Sequence, residues 1–173
     1  MKTKFLMLCL FILAGTLVFI SCNKDNNSES GNTTLQVRLT DAPVAFDKVN
    51  VDIREVRVNF RDDSTGWVAL STNAGVYDLL RFQNGVDTLL ATGTVQTGTV
   101  KEIRLILGSN NTVVVNGVTF PLTIPSGSES GLKIKVSKKL NATLETLIID
   151  FDAALSIKQE ANGYKLRPVL KIK

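Results

Sequence analysis

The sequence of 173 residues predicts an all-β protein, an antiparallel β-sandwich that follows a cleaved N-terminal signal peptide. Two observations indicate the β class: short runs in which apolar and polar residues alternate, and clusters of Gly, Asn and Ser that separate these runs. A third observation, the apolar stretch that ends at Cys22, distinguishes the N-terminal part from the rest. We therefore divide the chain into a lipoprotein signal peptide (1–21), a flexible polar tether (22–32) and one β-sandwich domain (33–173).

The predicted strands show apolar residues at every second position, the spacing at which side chains reach the same face of a strand. These apolar positions are Leu35, Val37 and Leu39; Val49, Val51 and Ile53; Ile103, Leu105 and Leu107; Leu132, Ile134 and Val136; and Leu147, Ile149 and Phe151. After Glu55 the alternation changes phase, and Val56 and Val58 take over the apolar positions. A change of phase predicts a β-bulge or a strand that passes between two sheets. Many short strands at this spacing favour a sandwich or a barrel.

Asn116-Gly117 marks the clearest hairpin, between the predicted strands 113–115 and 118–120. Both residues tolerate the positive φ angles of a type I′ turn, so the turn fixes the register of the two strands locally. A second Asn-Gly pair, at positions 162 and 163, precedes a predicted last strand from Tyr164 to Ile172.

The N-terminal stretch has the parts of a secretory signal. Lys2 and Lys4 give a basic start, Phe5 to Ile20 is apolar, and the small residue Ser21 stands before Cys22. A cysteine at the first mature position makes this signal resemble that of a bacterial lipoprotein, in which the thiol and the new amino terminus are acylated, commonly with palmitate. We therefore expect a protein anchored by lipid on Cys22 in the outer membrane, facing the periplasm or the cell surface.

Two alternatives remain open: a transmembrane anchor, and a secreted protein with an incidental cysteine. The apolar stretch is short for a membrane span, which needs about 20 apolar residues, and neither alternative gives Cys22 a role. Phe19 and Ile20 replace the usual Leu and small residue of the lipobox, a looseness that resembles lipoproteins of the Bacteroidota type. Lys24-Asp25 resembles the charged signals of surface lipoproteins, and the polar composition also fits a plain solvated spacer.

The composition excludes several classes of function. Cys9 lies inside the signal peptide and Cys22 is the predicted lipid site, so the mature chain has no thiol for a disulfide or a thiolate metal site. The chain has no histidine, the commonest general base and a common zinc ligand. Its net charge of +4 comes from dispersed basic residues with few aromatics, so no nucleic-acid partner is expected.

Several motifs occur in one order along the domain, and together they resemble a known family. They are Leu39-Thr40-Asp41-Ala42-Pro43, Tyr77-Asp78-Leu79-Leu80, Glu102-Ile103-Arg104-Leu105, Pro125-Ser126-Gly127, Asp150-Phe151-Asp152-Ala153 and Leu166-Arg167-Pro168-Val169-Leu170. The chain resembles the bacterial lipoprotein family catalogued as domain of unknown function 4382. This resemblance implies a secreted or lipid-anchored β-sandwich of the transthyretin or immunoglobulin-like kind, with no assigned activity. Members often carry Gly-x-Tyr where this chain has Gly98-Thr99-Val100.

Asp150 and Asp152 are the strongest candidates for a metal site. They stand two positions apart on one predicted strand, so both side chains leave the face opposite the apolar residues. If 132–136 and 144–152 form a hairpin, the two aspartates lie beside the loop Ser126–Gly131, which contains a glutamate and serine hydroxyls. Hard oxygen ligands of this kind suit calcium. The sequence therefore predicts calcium here if the chain binds any metal; otherwise no cofactor is expected.

The same carboxylates also fit roles other than metal binding. Asp41 is a candidate to join them, although the run Asp41-Ala42-Pro43 also reads as a simple turn. Asp150 and Asp152 also fit a solvated strand face, or partners for loop amides and Arg167. As a third reading, two carboxyls roughly 5 to 10 Å apart could form a glycosidase pair.

Trp67, Tyr77 and Tyr164 are the large amphipathic aromatics, and they suit either a carbohydrate platform or core packing. We take Trp67, Tyr77 and Asp41 as candidate binding residues. The sequence predicts a lipid-anchored cell-envelope module that binds a glycan or a partner protein, or acts as a scaffold, without catalysis. A carboxylate-dependent polysaccharide hydrolase is the alternative.

Substitution Cys22→Ala is expected to release the protein from the membrane or leave its signal unprocessed. Each buried lipid methylene contributes about 0.8 kcal/mol, so several acyl chains hold a protein on the bilayer effectively irreversibly. Membrane fractionation and mass spectrometry of the N-terminal peptide are the measurements. An unmodified Cys22 in protein recovered from membranes contradicts the prediction.

Overall fold

A computed structural model describes residues 31–125, 131–141 and 143–173. Within these ranges the chain forms fourteen β-strands, a short 3₁₀ helix and a single-turn α-helix. The strands are β1 (Asn32–Thr40), β2 (Lys48–Asn59), β3 (Trp67–Ala69), β4 (Ser71–Thr72), β5 (Gly75–Asp78), β6 (Thr88–Gln96), β7 (Gly98–Leu107), β8 (Thr112–Val115), β9 (Val118–Thr123), β10 (Leu132–Leu140), β11 (Leu144–Phe151), β12 (Ile157–Glu160), β13 (Gly163–Leu166) and β14 (Leu170–Ile172). The helices are the 3₁₀ helix Leu79–Phe82 and α1 (Ala153–Ser156).

The strands form two mixed sheets. The smaller sheet has the order β14-β11-β1-β6-β4. The larger has the order β10-β7-β2-β8-β9-β13-β12, and β3 and β5 also pair with β2. Most neighbouring strands are antiparallel, but β1 pairs with β11 in parallel, and β13 pairs with β9 in parallel. The expectation of purely antiparallel sheets was therefore wrong at these two pairings, each of which joins segments far apart in the sequence.

Both sheets contribute to one hydrophobic core. The apolar residues predicted on β1, Leu35, Val37 and Leu39, are fully buried in it. Leu147, Ile149 and Phe151 of β11 are buried in the same core, and so are the alternating residues of β2 and, on β7, Ile103 and Leu105; Leu107 is partly buried against it. The alternation in the sequence thus predicted correctly which face of these strands is buried. No helix in the described part of the chain is long and apolar enough to cross a membrane.

The change of phase in β2 is a β-bulge, as predicted. The pairing of β2 with β7 shifts register between Ile53 and Glu55. Val51 and Ile53 before the shift, and Val56 and Val58 after it, are all completely buried. The extra residue therefore keeps the apolar side chains on one face while the strand continues across the sheet.

Two predicted elements were wrong. The segments 132–136 and 144–152 do not form a hairpin, because β10 pairs with β7 in the large sheet and β11 pairs with β1 and β14 in the small one. The predicted last strand is broken into β13 and β14, which belong to different sheets. The break falls at 167–169, where Pro168 has no N–H to donate to a sheet.

The Asn116-Gly117 hairpin is confirmed. Val115 faces Val118 across the turn, Asn116 has φ 50° and Gly117 has φ 76°, both in the left-handed region that a type I′ turn requires. The turn is held from outside by Asp47, whose Oδ2 accepts a hydrogen bond of 2.8 Å from the Gly117 N–H.

Substitution Gly117→Val is expected to lower the free energy of unfolding by about 1 kcal/mol or more, because a β-branched residue resists positive φ. A Cβ at Gly117 would meet no atom within 4 Å, so the cost is conformational and not steric contact. Gly75→Val is the matched control, since a Cβ there also meets nothing within 4 Å and its φ is not positive. Urea denaturation gives the unfolding midpoint of each variant. Equal midpoints for Gly117→Val and Gly75→Val would contradict the prediction.

Candidate functional site

A cavity of about 550 Å³ lies beside Trp67, between the start of β3 and the turn that joins β6 to β7. Its wall combines two aromatic rings, one arginine, and several hydroxyl and amide groups. The lining residues are Phe60, Arg61, Thr65, Gly66, Trp67, Val68, Thr94, Val95, Gln96, Thr97, Gly98 and Thr99. We call this the Trp67 cavity. Its volume falls within the range of roughly 300–1,000 Å³ that is usual for small-molecule pockets.

Buried Asn59 shapes one wall of the cavity. Its Nδ2 donates to the Asp63 carbonyl at 2.6 Å, and its Oδ1 accepts from the Arg61 N–H at 2.9 Å. Asp63 in turn accepts hydrogen bonds from the N–H and the hydroxyl of Thr65, at 2.8 and 2.7 Å. The side-chain bond from Thr65, followed by its backbone bond, lowers the pKa of the Asp63 carboxyl below its ordinary value. These bonds fix the β2–β3 turn that leads into Trp67.

The Trp67 ring is held by an arginine from a strand that is not its direct neighbour. The Arg104 guanidinium of β7 lies 4.0 Å from the ring centroid, a cation–π contact that reaches across β2. Arg104 does not line the cavity, whereas Trp67 does. The indole therefore contacts Arg104 with one part of its surface and the cavity with another.

The β1 end of the small sheet adjoins the same cavity. Asn32 of β1 is in register with Gln96 of β6, and the Thr97 N–H donates to the Gly31 carbonyl at 2.7 Å. The first described residues of the chain thus lie next to two residues of the cavity wall.

The structure does not bring the predicted aromatic residues together. Trp67 pairs with Asn59 and Tyr77 with Val51, eight positions apart on β2, which is about 25 Å along a strand. Tyr77 donates its hydroxyl to the Asn73 carbonyl and packs 6.3 Å from the Phe82 ring, and burial raises the pKa of its phenol. Tyr164 packs 5.1 Å from the ring of Phe120. No shared aromatic platform forms among these described residues.

Asp150 and Asp152 lie at the far end of β11 and are more than nine-tenths buried. Asp150 lies within β11, whereas Asp152 follows the end of the strand and precedes α1, so the two aspartates do not share one strand as predicted. Each is matched by a lysine near the C-terminus: Lys173 Nζ lies 3.2 Å from Asp150 Oδ2, and Lys171 Nζ lies 3.6 Å from Asp152 Oδ2. Asp152 also caps α1 by accepting a hydrogen bond of 3.0 Å from the Leu155 N–H.

Asp41 lies at the same end, after the last residue of β1. Its Oδ1 accepts a hydrogen bond of 2.9 Å from the Ala153 N–H, and its Oδ2 accepts one of 3.2 Å from Gln83. Burial raises the pKa of this carboxyl above its ordinary value; these hydrogen bonds oppose the rise, and the charge of Asp150 adds to it. Asp41 thus connects the end of β1 to the start of α1 and to Gln83. It lies about 30 Å along β1 from the Trp67 cavity.

Calcium at Asp150 and Asp152 stays a prediction. Residues 126–130, which include the glutamate and serines expected beside them, lie outside the described residues, as does Cys22. Within the described ranges, no group of three or more His, Cys, Asp or Glu side chains is placed to hold a metal ion. Lys171 and Lys173 occupy positions at these carboxylates where a cation would otherwise bind.

Sequence reasoning identified Trp67 but missed the rest of its cavity. The segment from Thr94 to Thr99 contributes half of the lining, and the sequence analysis assigned no site to it. Arg104 was visible only as a polar residue in the alternation of β7. Its stacking on Trp67 depends on the order of β3, β2 and β7, which periodicity does not reveal.

A sequence profile of the family described as a domain of unknown function, number 4382, matches residues 32–168. The chain belongs to this family. Comparison with curated protein sequences and with solved structures gave no match.

The matched region of this member of family 4382 includes both ends of the small sheet. It contains the whole lining of the Trp67 cavity, and also Asp41, Asp150 and Asp152. At the position where other members often carry tyrosine, Val100 is fully buried in the core, next to Gly98 and Thr99 of the cavity wall. Lys171 and Lys173, which face the aspartates, lie beyond the matched residues.

Asp41→Asn is expected to become more favourable, relative to the wild type, as pH rises from about 3 to about 7. Below the ordinary aspartate pKa both states of the wild type are protonated. Because the folded pKa is raised, the unfolded chain ionises first, and the folded wild type loses stability across the window between the two pKa values. Asparagine does not ionise and keeps an oxygen for the Ala153 N–H.

Asp41→Ala is the control for this prediction. It removes the hydrogen bonds that the carboxyl accepts from Ala153 and Gln83, and it should cost about 1–3 kcal/mol at neutral pH. Urea unfolding curves at the two pH values provide the free energies. A difference between wild type and Asp41→Asn that does not change with pH would contradict the raised pKa.

Proposed function

We propose that this protein is a lipid-anchored, non-catalytic module of the bacterial cell envelope that binds a glycan in the Trp67 cavity. In this proposal Cys22 carries the lipid, the anchor lies in the outer membrane of a Gram-negative bacterium of the Bacteroidota type, and the domain is a β-sandwich of the transthyretin or immunoglobulin-like kind. The two sheets with a common core support the sandwich. The sequence before residue 31 supports the anchor.

The observation behind glycan binding is the chemistry of the cavity wall. A tryptophan ring offers the flat apolar surface that fits the C–H face of a sugar ring. Thr94, Thr99 and Gln96 also line the cavity, and their hydroxyl and amide groups are donors and acceptors of the kind that sugar hydroxyls need. An apolar floor with a few convergent polar groups is the usual composition of a ligand pocket.

The hydrolase alternative has less support. Among the described residues that line the Trp67 cavity, none is acidic, so a pair of carboxylates has no position there. Asp150 and Asp152 are at the opposite end of the small sheet, where each faces a lysine and Asp152 caps a helix. We therefore propose binding without bond cleavage.

Glycan binding should change the fluorescence of the protein, because Trp67 is its single tryptophan. A ligand that covers the indole is expected to shift the emission to shorter wavelength and to protect it from acrylamide. The test uses the full-length protein in detergent, titrated with polygalacturonate, alginate, arabinogalactan, dextran and soluble peptidoglycan fragments. Emission and quenching that stay constant with every one of these would contradict the proposal.

Variants separate the cavity from the rest of the surface. Trp67→Ala is expected to weaken binding, measured by calorimetry, by about tenfold or more, or about 1.4 kcal/mol. Trp67→Phe keeps an apolar ring and should retain part of the affinity. Tyr77→Ala is the matched control, since Tyr77 is a half-buried aromatic about 25 Å away along β2. Circular dichroism establishes that each variant is folded.

A further inference from the structure

The charge in the Trp67 cavity is of one sign. Arg61 is the single charged residue among the described residues that line it. The arginine backbone is fixed by its hydrogen bond to buried Asn59, whereas its side chain is exposed. The wall therefore includes one positively charged residue, with a fixed backbone, beside a tryptophan ring.

Arg61 has no carboxylate within ion-pair distance among the described residues. Of the two acidic residues that follow it in the turn, Asp62 lies 3.7 Å from Lys101. Asp63 accepts hydrogen bonds from Thr65, and the charge of Arg61 helps to lower its pKa although the two form no ion pair. The Arg61 Nη1 has only a long contact, 3.5 Å, with the Thr65 hydroxyl. In this turn Arg61 and Thr65 line the cavity and the two carboxylates do not, so the lining carries a positive charge without a negative one.

A row of cations lies behind the tryptophan. Arg104, which stacks on the ring, is directly opposite Arg57 on β2 and directly opposite Lys133 on β10. Cα atoms in such pairs are about 4.5–5.5 Å apart, and like charges placed in this way destabilise a sheet. Glu55 pairs with Arg57 at 2.7 Å, but no described carboxylate pairs with Arg104 or Lys133.

Two arginines of this row also lack hydrogen-bond partners. The Nε atoms of Arg57 and Arg104 are buried and have no hydrogen-bond partner among the described residues. In the next row of the sheet, Glu102 is in register with Lys135, and Asn59 lies between Glu102 and Trp67. The described groups around the indole therefore include more cations than anions, so the local potential favours an anionic ligand.

We infer that the Trp67 cavity takes an acidic saccharide, one whose sugar ring covers Trp67 while its carboxylate pairs with Arg61. This inference rests on the proposed function and adds to it the chemical class of the glycan. A carboxylate held by a guanidinium forms a charge-assisted hydrogen bond, which a neutral sugar cannot form. Arg104 acts from behind the ring as a positioning residue that also adds positive potential.

The experiment compares two ligands that differ only in one group of each sugar, a carboxylate in one and a neutral hydroxymethyl group in the other. Short oligogalacturonates are titrated against the full-length protein in detergent, and so are the same oligosaccharides after their carboxyl groups have been reduced to neutral alcohols. Trp67 fluorescence and calorimetry measure the affinities. The uronate is expected to bind at least about tenfold more tightly than its neutral counterpart at low salt, and this preference should decrease as salt is added.

Two arginine variants test the site. Arg61→Gln should remove the preference for the uronate, so that the two ligands bind with similar affinity. Arg81→Gln is the matched control: Arg81 is also exposed, but it lies in the 3₁₀ helix beside the C-terminal end of β1, opposite the end that adjoins the cavity. This control should retain the full preference.

The outcomes distinguish the two proposals. Equal affinity for the two ligands, or a preference that survives Arg61→Gln, would overturn the acidic-saccharide inference and leave glycan binding standing. Absence of binding by both ligands in this experiment would overturn this inference. If every glycan in the wider panel also fails to bind, the proposed function fails with it. Loss of the preference in Arg61→Gln alone supports the assignment.

Discussion

β1 and β11 run side by side in the same direction, and this parallel pairing organises the rest of the small sheet. Seven residue pairs join the strands, from Thr34 with Leu144 to Thr40 with Asp150. At its C-terminal end the pairing is secured by the hydrogen bond between Asp41 and the Ala153 N–H, residues 112 positions apart. β6 pairs with the free edge of β1, and β14 pairs with the free edge of β11. The N-terminal end of β1 therefore lies beside the β6 residues of the Trp67 cavity, and its C-terminal end lies beside the aspartates.

The two ends of the small sheet differ in whether their charged side chains form ion pairs. At the aspartate end, lysines from the C-terminal strand lie against Asp150 and Asp152, so the carboxylates are compensated within the chain. At the cavity end, neither Arg61 nor Arg104 forms an ion pair with a described carboxylate; Arg61 lies near enough to Asp63 to lower its pKa, and Arg104 stacks on the Trp67 ring. Compensation is typical of a structural site. A cation that lies beside an aromatic ring and forms no ion pair is typical of a surface that binds a ligand.

Local patterns in the sequence were enough for β1, for the bulge in β2 and for the Asn116-Gly117 turn, because each depends on residues close together in the chain. Local patterns could not predict which strands pair with one another. Periodicity indicated that Leu147 and Phe151 face the core, yet it could not show that β11 pairs with β1 instead of β10. The candidate site had the same limit. Trp67 was recognisable by residue type, whereas Arg104 became part of its surroundings only through the order of three strands.

The hydrogen bond between the Thr97 N–H and the Gly31 carbonyl fixes where the tether reaches the domain, at the edge of the cavity. Positions 22 and 32 are separated by a length of chain that spans at most about 35 Å when fully extended. With Cys22 anchored as proposed, every copy would hold its cavity within one thin layer above the bilayer. A polymer of repeating acidic sugars in that layer would meet many identical sites at once. Avidity would then let weak single contacts, released and remade one at a time, retain a polysaccharide that no single copy could hold.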